Sequence, residues 1–229
     1  MTRPRRKPAQ QTLPRTSGWG GTRKGAGRPP GPRPIVLHRA RPAHHERYPV
    51  HATLRAVAGL GSLRDCPVFN ALEVALAAAS SAAFRIIHYS VQSNHLHLIL
   101  EATDRAALLC GLRGLAIRTA RAINRAAERH GRLWAERYHL RELRTPREVR
   151  AALVYVLHNW KKAVRGAESL DACATGCWFD GWRGPRPLWS LPPAGVPVPV
   201  RAARTWLLTT GWRRLGLIGF DEQPKPPAG

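Results

Sequence analysis

The chain has 229 residues, 44% of them apolar, which is enough to form the core of one domain with extensions. Its 37 lysines and arginines against 14 acidic residues give a formal net charge of +23. Most of this charge is arginine, whose planar group binds phosphate oxygens in pairs, so nucleic acid is favoured over an acidic protein or a membrane surface. No window contains the about 20 apolar residues of a membrane span, and the N-terminus lacks the apolar core of a secretory signal. We therefore expect a cytoplasmic protein.

Residues 1–46 are predicted to form a disordered basic arm. From Met1 to His45 there are eleven lysines and arginines and no acidic residue, with proline and glycine clustered in GWGGTRKGAGRPPGPRP. Such a composition does not support a packed core. The arm is interpreted either as a solubilising tail or as a region that contacts phosphates non-specifically.

The first half of the predicted domain contains three strands and one helix. YPVHATLRAV, starting at Tyr48, alternates apolar and polar residues as a half-buried strand does. An alanine-rich helix is predicted from Pro67 to Ala83. FRIIHYSVQ and NHLHLILEA then indicate two strands joined by a tight turn at residues 92–94.

A long helix follows, capped by Thr103 or Asp104 and predicted to end near His130, before Gly131. One of its faces is apolar and is expected to join the core. A second face carries arginines at helical spacing, with almost no acidic residues between them: Arg118, Arg121, Arg125 and Arg129. This stripe is either a solvated face or a surface that binds DNA.

YHLRELR indicates a fourth strand, and Thr145-Pro146 announces a further helix that is expected to run to about Gly166. This order predicts an α+β fold with helices packed on an antiparallel sheet. The domain is placed at residues 47–166. Residues 167–229 form the C-terminal extension, which has tryptophans in proline- and glycine-rich loops. We expect these tryptophans mainly to anchor the extension on the domain, and stacking on bases is the alternative.

Two histidines lie one residue apart in the third predicted strand, in SNHLHLIL. Alternation along a strand places Leu96, Leu98 and Leu100 on one face and His95, His97 and Ile99 on the other. The leucines are expected to enter the core. The two imidazoles would project side by side and could bind one divalent ion, although a pair of surface or hydrogen-bonded histidines has the same pattern.

The helix containing LVYVLHNWKK carries a second group of candidate residues. Its predicted buried stripe consists of Val149, Leu153, Val156, Trp160 and Val164. Tyr155, Asn159 and Lys162 lie to the side of this stripe. Tyr155 is interpreted either as a nucleophile or as a rim tyrosine whose ring packs while its hydroxyl meets water.

A phenol has a pKa of about 10 and is a poor nucleophile at neutral pH. A tyrosine that attacks a phosphodiester therefore needs a cation to neutralise and position the phosphate. His95, His97 and the carboxamide oxygen of Asn159 would bind Mg²⁺ or Mn²⁺ and leave room for the phosphate. Nitrogen ligands suit Mn²⁺ better than Mg²⁺.

These motifs resemble those of a known family. His95-Leu96-His97 is similar to the His-hydrophobe-His (HUH) signature, and Tyr155 with Asn159 resembles the helical tyrosine and downstream amide of single-tyrosine transposases of the IS200-like superfamily. The likeness is strongest to the REP-associated tyrosine transposases, in which a segment similar to LWAERYHLREL precedes the tyrosine helix. It covers residues from about Tyr48 to Gly166.

The resemblance implies a ferredoxin-like catalytic domain that acts on single-stranded DNA at the foot of a hairpin. Tyr155 would form a 5′-phosphotyrosine link and release a 3′-hydroxyl, with no nucleotide cofactor. The enzyme would be a homodimer in the bacterial cytosol, and the arginine stripe and Lys162 would hold the DNA. The alternative is a domesticated protein that binds structured nucleic acid without cutting it. A replication initiator or relaxase and a zinc hydrolase fit the sequence less well.

Overall fold

The structure is a computed structural model that describes residues 44–162, 170–185, 187–192, 195 and 198–224. Residues 1–43, which make up nearly all of the predicted basic arm, lie outside the described residues, as does the segment 163–169. No helix within the described ranges has both the length and the apolar character needed to cross a membrane.

The centre of the fold is a four-stranded antiparallel sheet with the order β2-β3-β1-β4. Its strands are β1 (Val50–Arg55), β2 (Phe84–Val91), β3 (His95–Ala102) and β4 (His139–Glu142). Two helices complete a βαββαβ unit: α1 (Cys66–Ala79) between β1 and β2, and α2 (Arg105–Ala126) between β3 and β4. This connectivity and strand order are those of a ferredoxin-like fold, so the predicted α+β class is confirmed.

Two further helices follow the βαββαβ unit. The first, α3 (Pro146–His158), continues as a 3-10 helix at Asn159–Lys162. The second, α4 (Trp206–Thr209), belongs to the C-terminal extension and precedes a 3-10 helix at Gly211–Leu215. The α-helix α3 ends at His158, earlier than the predicted limit at Gly166.

Side-chain hydrogen bonds explain why α1 and α2 are also shorter than predicted. The hydroxyl of Ser80 accepts from the backbone N–H of Ile86, which ties the end of α1 to β2 instead of extending the helix. After α2, the guanidinium of Arg129 donates to the side-chain oxygen of Asn124, and the Asn124 amide donates to the Gly131 carbonyl. These polar groups compete with the helical hydrogen bonds and end the helix.

One face of the sheet forms the main core together with α1 and α2. The three alternating leucines of β3 lie on this face and are completely buried, as the strand pattern predicts. Leu72 from α1 and Leu112 from α2 pack into the same cluster. Burial of these side chains supplies most of the driving force that holds both helices on the sheet.

The opposite face of the sheet is covered by α3 and the C-terminal extension. Ile99 of β3 packs with Val149 and Leu153 of α3, and Trp182 and Trp212 of the extension join the same cluster. Both indoles are at most 4% exposed. These two tryptophans therefore anchor the extension on the domain, and α3 is packed between the sheet and the extension.

A buried carboxylate links β3 to the start of α4. Glu101 is 3% exposed and accepts hydrogen bonds from the backbone N–H groups of Arg204 and Thr205 and from the Thr205 hydroxyl. Its second contact is an ion pair with Arg85, at 3.4 Å. The carboxylate thus replaces water for the buried Arg85 cation and accepts from the backbone donors just before α4.

Removing this carboxylate by Glu101→Ala is expected to lower the free energy of unfolding by about 3 to 5 kcal/mol, because it leaves the Arg85 cation buried without its partner and removes the acceptor of the donors before α4. Urea unfolding measures the change. The control is Glu136→Ala, which removes a carboxylate that is 68% exposed and should change stability by less than about 0.5 kcal/mol. Equal effects of the two substitutions would contradict the anchoring role.

His88 in β2 should make the fold sensitive to acid. Burial lowers its pKa from 6.5 to about 4, against a smaller opposing effect of Asp180. Between these two pH values the unfolded chain binds a proton at His88 that the folded chain does not bind. The contribution of His88 to the free energy of unfolding is therefore fully present above pH 6.5 and is lost as the pH falls towards 4. The loss attributable to His88 is about 3 kcal/mol.

His88→Asn is therefore expected to reduce the slope of the free energy of unfolding between pH 6.5 and 4, measured by urea unfolding at several pH values. His130→Asn is the control, since His130 is exposed. A slope that is unchanged in His88→Asn would show that other groups cause the acid sensitivity.

Candidate active site

Polar side chains from three strands gather on the sheet face that α3 covers. Thr53 of β1 lies opposite His97 of β3, and His51 of β1 lies opposite Arg141 of β4. Since residues directly opposite in antiparallel strands point to the same face, the register brings these side chains together. His95 shares this face, two residues before His97.

The two histidines of the HUH-like motif are neighbours. The centroids of the His95 and His97 rings are 4.7 Å apart, and the ring planes are nearly perpendicular. His97 is 4% exposed, while His95 is half-buried at the start of β3. One imidazole is thus embedded in the fold and the other lies nearer to solvent.

Hydrogen bonds orient both rings through their Nδ1 atoms. Nδ1 of His95 lies 2.7 Å from the side-chain oxygen of Asn94, so it carries the proton and donates. Nδ1 of His97 lies 3.1 Å from the hydroxyl of Thr53 and 3.3 Å from Nε2 of His51. Metal-binding histidines are commonly oriented in this way through the nitrogen that does not bind the metal.

Tyr155 reaches this cluster from α3. Its ring centroid lies 5.0 Å from that of His97 and 5.8 Å from that of His51, in both cases edge-on. A capping box at Thr145 and Glu148 determines where α3 begins. Its buried apolar side then sets the rotation of the helix on the sheet, and Tyr155 consequently projects towards the histidines.

His51 is a neutral member of the cluster. Burial, together with a smaller effect of the positive charge of Arg141, lowers its pKa from 6.5 to about 4. At neutral pH, His51 therefore adds no positive charge beside Tyr155 and His97. Its polar contacts orient the neighbouring ring without repelling a bound cation.

The other candidates on the same helix lie beyond Tyr155. Asn159 follows one helical turn later, where α3 changes to a 3-10 helix, and is 5% exposed. The backbone of Lys162 ends that 3-10 helix. The Lys162 side chain lies outside the described residues, so its predicted contact with DNA stays a prediction.

The predicted arginine stripe is not part of this cluster. Arg118, Arg121 and Arg125 are exposed on α2, which packs on the leucine face of the sheet, away from α3. Arg129 is half-buried and donates to Asn124 and to the Arg132 carbonyl, so it helps to end α2. The first three remain candidates for contacting DNA at a distance from Tyr155.

His51, Thr53 and Arg141 were not identified as site residues from the sequence. The alternation in YPVHATLRAV places His51 and Thr53 on the face opposite the apolar residues, which is a usable signal, whereas YHLRELR gives none for Arg141 because Leu143 falls on the same side. However, the pairing of β1 with β3 and β4 joins residues far apart in the chain, and the alternation does not specify this register.

The composition of the cluster limits how a metal ion would bind. Within the described ranges, no group of three His, Cys, Asp or Glu side chains could hold a metal ion by itself. Two imidazoles therefore need a ligand of another kind, such as a carboxamide, a phosphate oxygen or water. Two imidazoles with an oxygen ligand are compatible with Mn²⁺ or Mg²⁺.

Comparisons with known proteins agree with the resemblance seen in the sequence. Residues 69–159 match the family model described as "Transposase IS200 like", and this segment contains His95, His97, Tyr155 and Asn159. A search of the curated proteins gives no match. The similarity to IS200-like transposases is thus confirmed over this segment. It supports a transposase, which is a DNA-processing enzyme, as the class of protein.

A solved structure is also similar to the chain. It is the REP-associated tyrosine transposase bound to a REP hairpin, with 15% identity and a TM-score of 0.47. The match covers 56% of this chain and 75% of the other.

Proposed function

We propose that the chain is a transposase that cuts and rejoins single-stranded DNA with Tyr155 as its nucleophile. The observation that carries the proposal is the position of Tyr155, whose ring centroid lies 5.0 Å from that of His97 on the sheet face that also presents His95. The match of residues 69–159 to IS200-like transposases supports it independently.

The chemistry follows from the phenol group. The Tyr155 oxygen loses its proton and forms a bond to the phosphorus of a DNA phosphodiester, and the bond from that phosphorus to the 3′-oxygen breaks. The released oxygen takes up a proton and becomes a free 3′-hydroxyl, while the 5′ end stays attached to Tyr155. Attack by a 3′-hydroxyl on this link reverses the reaction and joins DNA. The new ester conserves the energy of the old one, so no nucleotide cofactor is required.

His95, His97 and Asn159 would hold Mg²⁺ or Mn²⁺ in this proposal. The ion would neutralise the phosphate charge that otherwise repels an incoming phenolate. The two histidines fit this role because Asn94 and Thr53 orient the rings through their Nδ1 atoms, as in metal-binding histidines whose Nε2 atom binds the ion. Asn159 would supply the carboxamide ligand from the tyrosine helix.

The proposed substrate is hairpin DNA with unpaired flanks. Arg118, Arg121 and Arg125 of α2, together with Lys162, would contact its backbone, consistent with the net charge of +23. We further propose that residues 47–166 form the catalytic domain with residues 1–46 and 167–229 as extensions, and that the enzyme acts as a homodimer in the bacterial cytosol.

The nucleophile is tested with Tyr155→Phe. Wild-type protein incubated with hairpin DNA and Mn²⁺ should form a covalent protein-DNA adduct that survives denaturation, because the phosphotyrosine ester is stable to unfolding. Tyr155→Phe should form none, because it lacks the attacking oxygen, while DNA affinity changes by less than about threefold. Tyr48→Phe is the matched control and should keep the adduct. DNA binding without an adduct in the wild type would favour a binding protein that does not cut.

The orientation of His97 gives a separate test of the metal site. Thr53→Val removes the hydroxyl that holds Nδ1 of His97 while keeping the shape of the side chain, so the affinity for Mn²⁺ should fall by about 10- to 100-fold. Titration calorimetry of the protein without DNA measures this change. Thr209→Val, at an exposed position in α4, should leave Mn²⁺ binding unchanged. Equal affinities in Thr53→Val and the wild type would contradict the proposed role of Thr53 in orienting His97 for the metal.

A further inference from the structure

A concave pocket adjoins the candidate active site on the side of the C-terminal extension. It has a volume of about 590 Å³, and Tyr155 and His51 are among the residues that line it. Its lining also includes Arg141 from β4, Arg147 from α3, and the apolar side chains Leu143 and Leu215. Pockets that bind small ligands commonly have this size and this combination of apolar walls with a few polar groups.

The location of the pocket limits what it can receive. A DNA strand that presents a phosphate to the hydroxyl of Tyr155 must place the nucleotides on either side of that phosphate next to the tyrosine ring. Tyr155 is itself part of the pocket wall. A nucleotide adjoining the scissile phosphate would therefore lie next to this pocket.

The charges of the pocket favour the backbone of that nucleotide. Arg147 is exposed at the rim, and the Arg141 side chain is 39% exposed although it pairs with Glu148 at 3.2 Å. The Glu148 carboxylate also accepts hydrogen bonds from the backbone N–H groups of Arg144 and Thr145 at the start of α3, and these bonds stabilise part of its negative charge. Guanidinium groups at such a rim bind phosphate oxygens well.

One wall of the pocket comes from the C-terminal extension, outside the segment that matches the transposase family. Arg150 of α3 holds this wall in place. Its guanidinium donates to both carboxylate oxygens of Glu222, at 2.9 and 2.7 Å, and to the carbonyls of Gly216 and Leu217. Leu215 is next to this anchored segment and is 47% exposed, so an apolar side chain is held at the pocket where a base can cover it.

We propose that this pocket binds one unpaired nucleotide of the DNA strand, the one joined to the scissile phosphate, and that the C-terminal extension thereby contributes to the choice of cleavage site. Arg141 and Arg147 contact its sugar-phosphate backbone, and its base packs on Leu215. The inference rests on the proposed function, because that function places the phosphate at Tyr155.

The first experiment measures base preference at the cut. Wild-type protein is incubated with Mn²⁺ and a hairpin oligonucleotide with randomised unpaired flanks, and the DNA covalently attached to the protein is sequenced, together with the released strands. A preferred base is expected at one position beside the cut. Leu215→Ser should reduce this preference at least fivefold and leave other positions unchanged. Val74→Ser, at an exposed position of α1, is the matched control and should keep it.

The second experiment measures binding without cleavage. A single-stranded oligonucleotide of twelve thymidines that carries one 2-aminopurine is titrated into protein with Tyr155→Phe, and its fluorescence is followed. Adding Leu215→Ser or Arg147→Ala should weaken binding about three- to tenfold. Arg113→Ala removes an exposed arginine of α2 that does not line the pocket and is the control.

The two experiments separate the inference from the proposed function. If the wild type forms an adduct and Leu215→Ser keeps its base preference, the pocket is not the nucleotide site, although the transposase function stands. If the wild type forms no adduct, that function fails, and the fluorescence titration alone decides whether the pocket binds a nucleotide. Equal binding by Leu215→Ser, Arg147→Ala and Arg113→Ala would then overturn the inference.

Discussion

The packing of the apolar side of α3 against the sheet is the interaction on which the candidate site depends. Val149 and Leu153 are almost completely buried against Ile99 and its neighbours, and this contact determines the height and rotation of the helix. Tyr155 then projects at the histidines of β3. A change of one residue in this helical register would rotate the phenol by about 100° and remove it from them.

The C-terminal extension reinforces the same arrangement from the other side of α3. Trp182 and Trp212 supply apolar burial. The ion pair between Arg150 and Glu222 and the hydrogen bond from His158 to the Gly219 carbonyl fix the position of the extension relative to α3. Hydrophobic contact alone tolerates sliding, whereas these polar bonds have defined lengths and angles. Together they hold the tyrosine helix and the pocket wall as one packed layer.

Several features of the fold and site could be predicted because they depend on local periodicity. Alternation in HLHLILEA separated the leucines from His95 and His97, and helical spacing separated Tyr155 from the buried stripe of its helix. The exact ends of α1 and α2 could not be predicted in this way. They depend on side-chain bonds, such as Arg129 to Asn124, that compete with the next backbone hydrogen bond.

The sequence by itself determined the strong positive charge of the chain, the α+β order of its elements and the separation of His95, His97 and Tyr155 from the apolar faces, because charge and periodicity are properties of neighbouring residues. Only the tertiary structure decided that His51, Thr53 and Arg141 join the histidines, that the α2 arginines lie away from them, and that Leu215 reaches the pocket beside Tyr155. Those outcomes depend on strand register and on packing between segments distant in the chain, where many pairings satisfy the same local pattern.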